Sequence, residues 1–561
     1  MVIRRVNNSI VETIECEYRY LILKTKVNND IQNKFICRLQ KMRLSWNLGM
    51  AKHHIKIVSN LFIEKNDLFR ILILFSIALV IGTYLILTCT LISKDGVYYI
   101  ERAHLFSNSP IELIKSEPCG YLFLIFIAHK FAMLFQANSS AYTWLYSAQS
   151  MTLICRLAAL IPLYFIGKLL VGSKRSFWAV LILIILPYPA EFGSDVLREW
   201  PHILFLMTGF LFLLWGAKRS TGWMFTMTGL FSGLGFIIRP ECAQLVIYGT
   251  LWILIKLIYT KDNMSRKKLL FLWFLLLIGF AIPFVPYSTI RGRILPSKLK
   301  TLISYSDLNH TEDITISKTH SDNNVYIAAA VPIRILKAAG KLIGEISDNL
   351  MHYFMLPLGA GIYLRFRRSS ESKEIERLFV PAFVFLNSIM LILLQYYWGY
   401  ISRRHCLPLI VILIFYILEG LETLAQWFEE KFSRNLILKN PQSKLWFSVL
   451  LVTGVVICMP KLLRPMGADK PGYRTASTWL MENTDPEDII AVPDRRISFY
   501  AERKGLNYEI EVPKGAEYLV RIVNEGDEEM VSNGIGQKEY SVNINNQKQN
   551  KKKLVIFKMK L

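Results

Sequence analysis

The chain has 561 residues, 53% of them hydrophobic and 13% aromatic, and a positive mean hydropathy of +0.32. That is too apolar for an ordinary soluble domain, and many runs reach the roughly 20 residues needed to cross a bilayer, so a polytopic membrane protein is expected. The formal charge of +23 does not imply nucleic acid as a partner, because Lys and Arg fall in short clusters between apolar runs, as positive-inside topology requires.

The 8 cysteines are scattered without paired spacing, so neither a disulfide framework nor a zinc knuckle is indicated. No cofactor is called for and no residue is assigned to a metal, although a divalent ion is left open.

Residues 1–69 are polar and basic, with Arg4, Arg5, Lys24, Lys26, Arg38, Lys41 and Arg43 among them. This segment is expected to stay in the cytoplasm. The first apolar run, 71–92, lies too far from Met1 to be a cleaved signal peptide and is read as a retained span. The stretch Ser93-Lys94-Asp95-Gly96-Val97-Tyr98-Tyr99 follows it, which puts Asp95 just beyond the far face of the bilayer. Taken alone, Asp95 also suits a simple helix start.

The next apolar piece, 119–135, is short and interrupted by His129 and Lys130, so whether it crosses the membrane is open on length alone. Were it to cross, every later basic loop would face outward. It is therefore read as an amphipathic helix at the outer interface. Spans follow at 150–171, 176–193, 201–217, 222–238, 241–259, 268–288, 347–365, 377–398, 404–424 and 445–463, about eleven with the first. The membrane domain then covers 70–464, with large outer loops at 93–149 and 289–346. Residues 465–561 are expected to form a small α/β extracytoplasmic domain, with a helix at 473–481 and strand-like stretches at 489–492, 517–523, 540–544 and 554–559.

On this topology several ionisable residues collect on the outer side, where they call for a function or a partner. Asp95 and Glu101 follow the first span. Glu191, Asp195, Arg198 and Glu199 lie in a second outer segment; Arg291 and Arg293 lead the long loop; Arg403, Arg404 and His405 open a late span. Arg239 and Glu241 flank Pro240 and could be a structural pair at a helix end. Arg403 and Arg404 could be snorkelling anchors, but outward arginines oppose the positive-inside bias, and guanidinium forks match phosphate oxygens. A carboxylate that accepts a proton from an incoming hydroxyl or amine, facing cations that neutralise a phosphate leaving group, suits transfer of a sugar from a lipid phosphate.

The motifs resemble the GT-C class of polytopic glycosyltransferases, in particular bacterial relatives of the dolichyl-phosphate-mannose protein mannosyltransferases and of the lipid A aminoarabinose transferases. The matching pieces run in order. They are Asp95-Gly96-Val97-Tyr98-Tyr99, Glu117-Pro118-Cys119, the run from Gly233 through Arg239-Pro240-Glu241, Ser402-Arg403-Arg404-His405 and Gly472-Tyr473-Arg474. The resemblance implies an all-α GT-C membrane fold whose first outer loop carries an acidic residue of the active site, here Asp95. It also implies a polyprenyl-phosphate-linked sugar as donor, with its phosphate on later outer basic residues, most naturally Arg403 or Arg404, with His405, Arg291 and Arg293 as further candidates. Glu101, Glu191, Asp195 and Glu199 remain open as a second acid or acceptor group. Two departures from the pattern stand out: Gly96 replaces a second acidic residue common in relatives, and Cys119 replaces a second proline. The acceptor is a lipid, a glycan or a protein, and the expected location is a bacterial cytoplasmic membrane with the N-terminus inside and the C-terminus outside. A lipid-linked glycan flippase, or a surface-polysaccharide polymerase or ligase, are the competing readings. A purely structural scaffold leaves the outward arginines without a reason.

Overall fold

The structure, a computed structural model, describes residues 65–135, 139–258, 264–293, 324–367, 374–433, 443–509, 511–524, 536–545 and 552–559. The basic segment up to residue 64 and the part of the long outer loop at 294–323 lie outside the described residues.

Eight helices are long and apolar enough to cross a membrane: Asn66–Leu87, Ala141–Val171, Glu199–Arg219, Pro240–Ile258, Arg266–Arg291, Ile375–Trp398, Arg403–Lys431 and Lys444–Leu462. The chain is an integral multi-pass membrane protein with a mostly helical fold. Gly120–Ala132 and Gly222–Ile238 are shorter apolar helices.

Three expected spans differ from the observed elements. The first helix stops at Leu87, and residues 88–93 leave it as an irregular strap. The stretch 176–193 is broken, because Pro187 pushes Leu186 to an extended ψ of 124° and separates Ser173–Ile185 from the short helix Pro187–Phe192. The stretch 347–365 straddles a break as well: helix Asn324–Asn349 ends, Met351 and His352 take positive φ, and a new helix runs Met355–Arg367. At that break the Asn349 amide donates to the Arg403 carbonyl at 2.9 Å. Hydropathy averages over such turns and does not register them.

Helix packing relies on small residues where backbones approach closely, as in other membrane bundles. A Cβ on Gly229 would meet the Leu276 carbonyl oxygen at 2.1 Å, and one on Gly279 would meet the Thr226 carbonyl oxygen at 2.1 Å. These two glycines seat Gly222–Ile238 against Arg266–Arg291. Gly361 and Gly420 play the same part between Met355–Arg367 and Leu407–Ser433, where added Cβ atoms would lie 1.9 and 1.8 Å from the Tyr416 and Pro357 carbonyl oxygens.

The two ends of the bundle differ. At one end Arg70 bonds Ser173 at 2.6 Å, Arg175 pairs with Glu422 at 2.6 Å, and Arg365 donates to the Leu170 carbonyl at 3.0 Å. The opposite end carries Asp95, the start of Glu199–Arg219, the end of Gly222–Ile238, the turn Arg403–Cys406, and the C-terminal residues.

Those C-terminal residues form a five-stranded mixed sheet of order β2-β1-β3-β5-β4, with β1 Ile489–Val492, β2 Lys504–Asn507, β3 Tyr518–Asn524, β4 Gly536–Asn543 and β5 Lys552–Met559. β1 is parallel to β2 and β3, whereas β5 is antiparallel to β3 and β4. Strand alternation separates two apolar faces. Ile490, Val492, Val520, Leu554 and Ile556 share a core with Val97 and Ile100 of Lys94–His104, Tyr121 of Gly120–Ala132 and Trp144 of Ala141–Val171. Ala491, Leu519, Val555 and Phe557 form a second core on the other face. Helices Pro471–Asn483 and Arg495–Tyr500 complete this unit. The first of them and four of the strands match the expected stretches; Arg495–Tyr500 and β2 lack sufficient apolar periodicity to stand out.

Gly279→Val forces its side chain into the Thr226 backbone and is expected to cost about 1–3 kcal/mol or more. Thermal unfolding of the detergent-purified protein checks this. Gly340→Val is the control, because none of the described residues lies within 4 Å of a Cβ there, and its melting temperature should stay near that of the parent.

Candidate functional site

Asp95 sits in the first turn of helix Lys94–His104, whose N-cap is Ser93; the Ser93 hydroxyl accepts the Gly96 N–H at 3.1 Å. Capping of this kind satisfies an otherwise orphaned donor and sets where the helix begins. The Asp95 carboxylate is left half exposed at 43% and accepts a hydrogen bond from Arg404 Nη1. Arg404 Nε lies 3.9 Å from Glu199 Oε1, and the same oxygen is 3.7 Å from Arg239 Nη1. Arg239 Nε is in turn 3.6 Å from Glu241. Four elements distant in sequence thus build one alternating chain of charge, Asp95, Arg404, Glu199, Arg239, Glu241.

Glu199 and Arg239 are buried, and such charges are tolerated only when paired. Their pairing is incomplete. Glu199 Oε2, Arg239 Nε and both ring nitrogens of buried His202 have no hydrogen-bond partner among the described residues. Arg198, one residue before Glu199, interacts electrostatically with Tyr99, His202 and Glu241 and makes no ion pair among the described residues. Unused donors and acceptors concentrate around Glu199 and Arg239, which suits a site built to receive a polar, anionic group.

The adjacent arginines diverge. Arg403 stacks over the Tyr188 ring at 4.2 Å, and Lys461 approaches the same ring at 5.3 Å. Glu191 interacts electrostatically with Lys461, Arg403 and Arg464. Glu191, Lys461, Arg464 and Asp469 line a cavity of about 240 Å³ together with Leu85 and Pro187, at the ends of two membrane helices. Sequence reading did not single out Tyr188, Lys461 or Arg464. The signal available was the pair Lys461 and Arg464 at the end of the last span that the expected topology places on the side of Asp95.

Other candidates are placed elsewhere. Glu101 pairs with Arg495 of the C-terminal unit at 3.5 Å. Arg291 lies under Tyr287, and Arg293 donates to the Lys115 carbonyl at 3.0 Å, so neither pairs with the Asp95 cluster. His405 closes a capping box with Ser402, its Nδ1 accepting the Ser402 N–H at 3.3 Å. Arg239 and Glu241 do pair with each other, as the simplest reading of that turn anticipates, but Arg239 also reaches Glu199.

Asp195 is buried beside Ser93, the N-cap of the helix that carries Asp95. Its carboxylate accepts the Ser93 N–H at 3.1 and 3.2 Å and its neighbour Val196 N–H at 2.7 Å. Burial, with the Glu191 charge adding to it, pushes the Asp195 carboxyl up to about 6 despite these bonds. The Asp195 loop also accounts for Gly96. A Cβ there would meet the Val196 Cβ at 3.0 Å and its carbonyl oxygen at 3.2 Å, so a second acidic side chain would crowd the loop and require it to shift. Glu117 is engaged too, accepting from the Tyr98 hydroxyl at 3.0 Å and from Arg102 Nε at 2.5 Å, so two of the sequence motifs hold each other. Among the described residues no group of three or more His, Cys, Asp or Glu side chains is arranged to hold a metal ion.

No family model matches the chain, and no curated protein matches it by sequence. In structure it is similar to ArnT from Cupriavidus metallidurans, both in the apo state and bound to undecaprenyl phosphate, with TM-score 0.53 and 10% identity over 86% of this chain and 97% of that one. It is also similar to the archaeal oligosaccharyltransferase AglB from Archaeoglobus fulgidus, in complex with an inhibitory peptide and a dolichol-phosphate. There the TM-score is 0.51 and the identity 12%, over 81% of this chain and 69% of that one. These likenesses establish the GT-C fold that the motifs imply.

A carboxyl raised to about 6 binds a proton more tightly folded than unfolded, where an Asp titrates near about 4. Stability contributed at Asp195 is therefore full below about pH 4 and falls as pH rises to about 6. Asp195→Asn removes this titration. The melting-temperature difference between parent and variant should shift against the parent across that interval and stay flat above it.

Proposed function

We propose that this chain is an integral-membrane glycosyltransferase that moves a sugar from a polyprenyl-phosphate donor to a lipid, glycan or protein acceptor on the non-cytoplasmic side. The observation that carries the reading is the junction of a half-exposed acid, Asp95, with a guanidinium pair, Arg404 and Arg239, bridged by buried Glu199. The GT-C fold supports it. So do the bound lipids of the neighbours, undecaprenyl phosphate in ArnT and a dolichol-phosphate in AglB.

In this reading the acceptor hydroxyl or amine attacks the anomeric carbon of the donor. The new glycosidic bond forms as the bond from that carbon to the phosphate oxygen breaks. Asp95 takes the acceptor's proton, and the phosphate leaves with the electron pair of the broken bond. Among the described residues Arg404 makes no hydrogen bond through Nη2, so it is able to hold a phosphate oxygen while orienting Asp95 through Nη1. Arg198 and Arg239 supply further positive charge beside it. Fixed cations aimed at developing negative charge stabilise the transition state more than the ground state, because they need no reorganisation. The Glu199 carboxylate lies between the two arginines, offsets their repulsion and holds both in place. Topologically, the basic segment 1–69 lies in the cytoplasm, the membrane domain spans 70–464, and residues 465–561 form an extracytoplasmic unit in a bacterial cytoplasmic membrane.

Asp95→Asn keeps the shape and removes the base, and should lower turnover by about 100-fold or more, the range for general-base catalysis. Arg404→Lys, which cannot fork, should fall short of the parent by a wide margin as well. The assay is release of undecaprenyl phosphate from a panel of undecaprenyl-phosphate-linked sugars by membranes of matched protein content. Full activity of Asp95→Asn would refute the assignment.

A further inference from the structure

The strap between the first span and helix Lys94–His104 has neither a helix nor a strand ladder to satisfy its backbone. Its polar groups are taken up by other parts of the chain. Thr90 and Leu91 N–H both donate to the Met466 carbonyl, at 2.9 and 3.3 Å. Ile92 N–H donates to the Tyr500 hydroxyl at 3.2 Å, and the Ile92 carbonyl accepts from Arg496 Nη1 at 3.2 Å. Ser93 N–H is held by Asp195. The Lys94 ammonium lies 3.3 Å from Asp494 Oδ2.

Three of these partners, Asp494, Arg496 and Tyr500, belong to one turn of the C-terminal unit. Asp494 caps helix Arg495–Tyr500 and grips Arg496 with a two-bond fork, Nε to Oδ1 at 3.0 Å and Nη2 to Oδ2 at 2.8 Å. Burial pushes the Asp494 carboxyl up, but the Arg496 hydrogen bonds and charge outweigh it and hold it below the usual value. With Nε and Nη2 so engaged, Nη1 is left to reach across to Ile92. The Tyr500 ring is stacked by Arg474 at 4.1 Å, and Arg474 lies over Tyr142 of the next span at 4.8 Å and donates to its hydroxyl. The turn is therefore anchored on both sides of the strap.

We propose that Asp494, Arg496 and Tyr500 are positioning residues for the reaction: the C-terminal unit clamps Ile92 and Lys94 and thereby holds the Asp95 carboxylate against Arg404. The inference rests on the reading of Asp95 as the reactive acid. Ile92 is three residues from Asp95, and Ser93 starts the helix that carries it. A movement of the strap is thus passed to the carboxylate without an intervening flexible segment. One apolar core of the sheet already contains Leu91, Ile92, Ile497 and Tyr500, so burial joins the turn to the strap and these hydrogen bonds add direction to that contact. Their effect falls on the strap.

The test uses the full chain in lipid nanodiscs and the variants Tyr500→Phe, Arg496→Ala, Arg496→Lys and Asp95→Asn. Tyr500→Phe keeps the ring and deletes the acceptor for Ile92, so it guards against misfolding of Arg496→Ala. Amide exchange is followed in peptides covering 89–97 and 518–524, alongside release of undecaprenyl phosphate from an undecaprenyl-phosphate-linked sugar. Tyr500→Phe should speed exchange in the strap by about 10-fold while the β3 peptide is unchanged, and lower kcat by about 10-fold with donor KM within about twofold, as expected when a reacting group loses its alignment. Arg496→Lys should recover part of the kcat lost in Arg496→Ala. Unchanged strap exchange in Tyr500→Phe, or faster exchange at full kcat, overturns the inference. Full turnover in Asp95→Asn overturns the catalytic reading beneath it. An inactive Asp95→Asn beside fully active clamp variants overturns the clamp alone.

Discussion

The position of Asp95 depends on how the backbone of residues 90–93 is satisfied. At the end of a membrane helix the chain must change direction while keeping its N–H and C=O groups bonded, since an unpaired buried group is costly. Here the partners are a carbonyl of residue 466, the carboxylate of Asp195, the guanidinium of Arg496 and the hydroxyl of Tyr500. Three separate regions of the chain therefore converge on a strap of a few residues, and the helix carrying Asp95 is aimed as a consequence. Close contacts enforce the arrangement: Gly96 lies against Val196, and Gly467, at φ 71°, lies against Leu91, where a Cβ would come within 2.5 Å of its carbonyl oxygen.

From that fixed helix the electrostatics of the end of the bundle follow. Arg404 is drawn to Asp95 and Glu199, whereas Arg403, next to it in a single turn, lies over Tyr188 beside Lys461. One dipeptide thus serves two basic regions, one holding the acid and one bordering the cavity at Glu191. The buried carboxylate of Glu199 allows Arg404 and Arg239 to approach each other, since each is closer to it than repulsion alone would permit. The result is a concentration of guanidinium groups at the end of the bundle that carries Asp95.

The fold places the C-terminal sheet in the same system. One apolar face of the sheet shares a core with helices Lys94–His104 and Gly120–Ala132, so burial of hydrophobic surface joins the two, and the polar fork at Asp494 and Arg496 gives the joint its register. Glu101, which attracts attention as an acid near Asp95, belongs to this joint through Arg495.

Much of this architecture was written in local composition. Apolar runs of spanning length, the alternation of basic and acidic segments, and the strand periods after residue 489 each depend on neighbours in sequence, and they sufficed for a polytopic membrane protein with a small α/β end piece; the GT-C class came from the resemblance of the ordered motifs. They also brought Asp95, Glu199, Arg239 and Arg404 onto a single list. Which members of that list meet was decided by tertiary structure. Glu101, Arg291, Arg293 and Asp195 are charged in the same way and lie in similar segments, yet they serve other contacts, because pairing is a matter of a few ångströms between residues hundreds of positions apart. The breaks at Pro187 and Asn349, the divergence of Arg403 from Arg404, and the hold of Tyr500 and Arg496 on Ile92 share that origin: hydropathy registers how apolar a segment is, but the partner of a buried polar group exists only once distant segments are packed together.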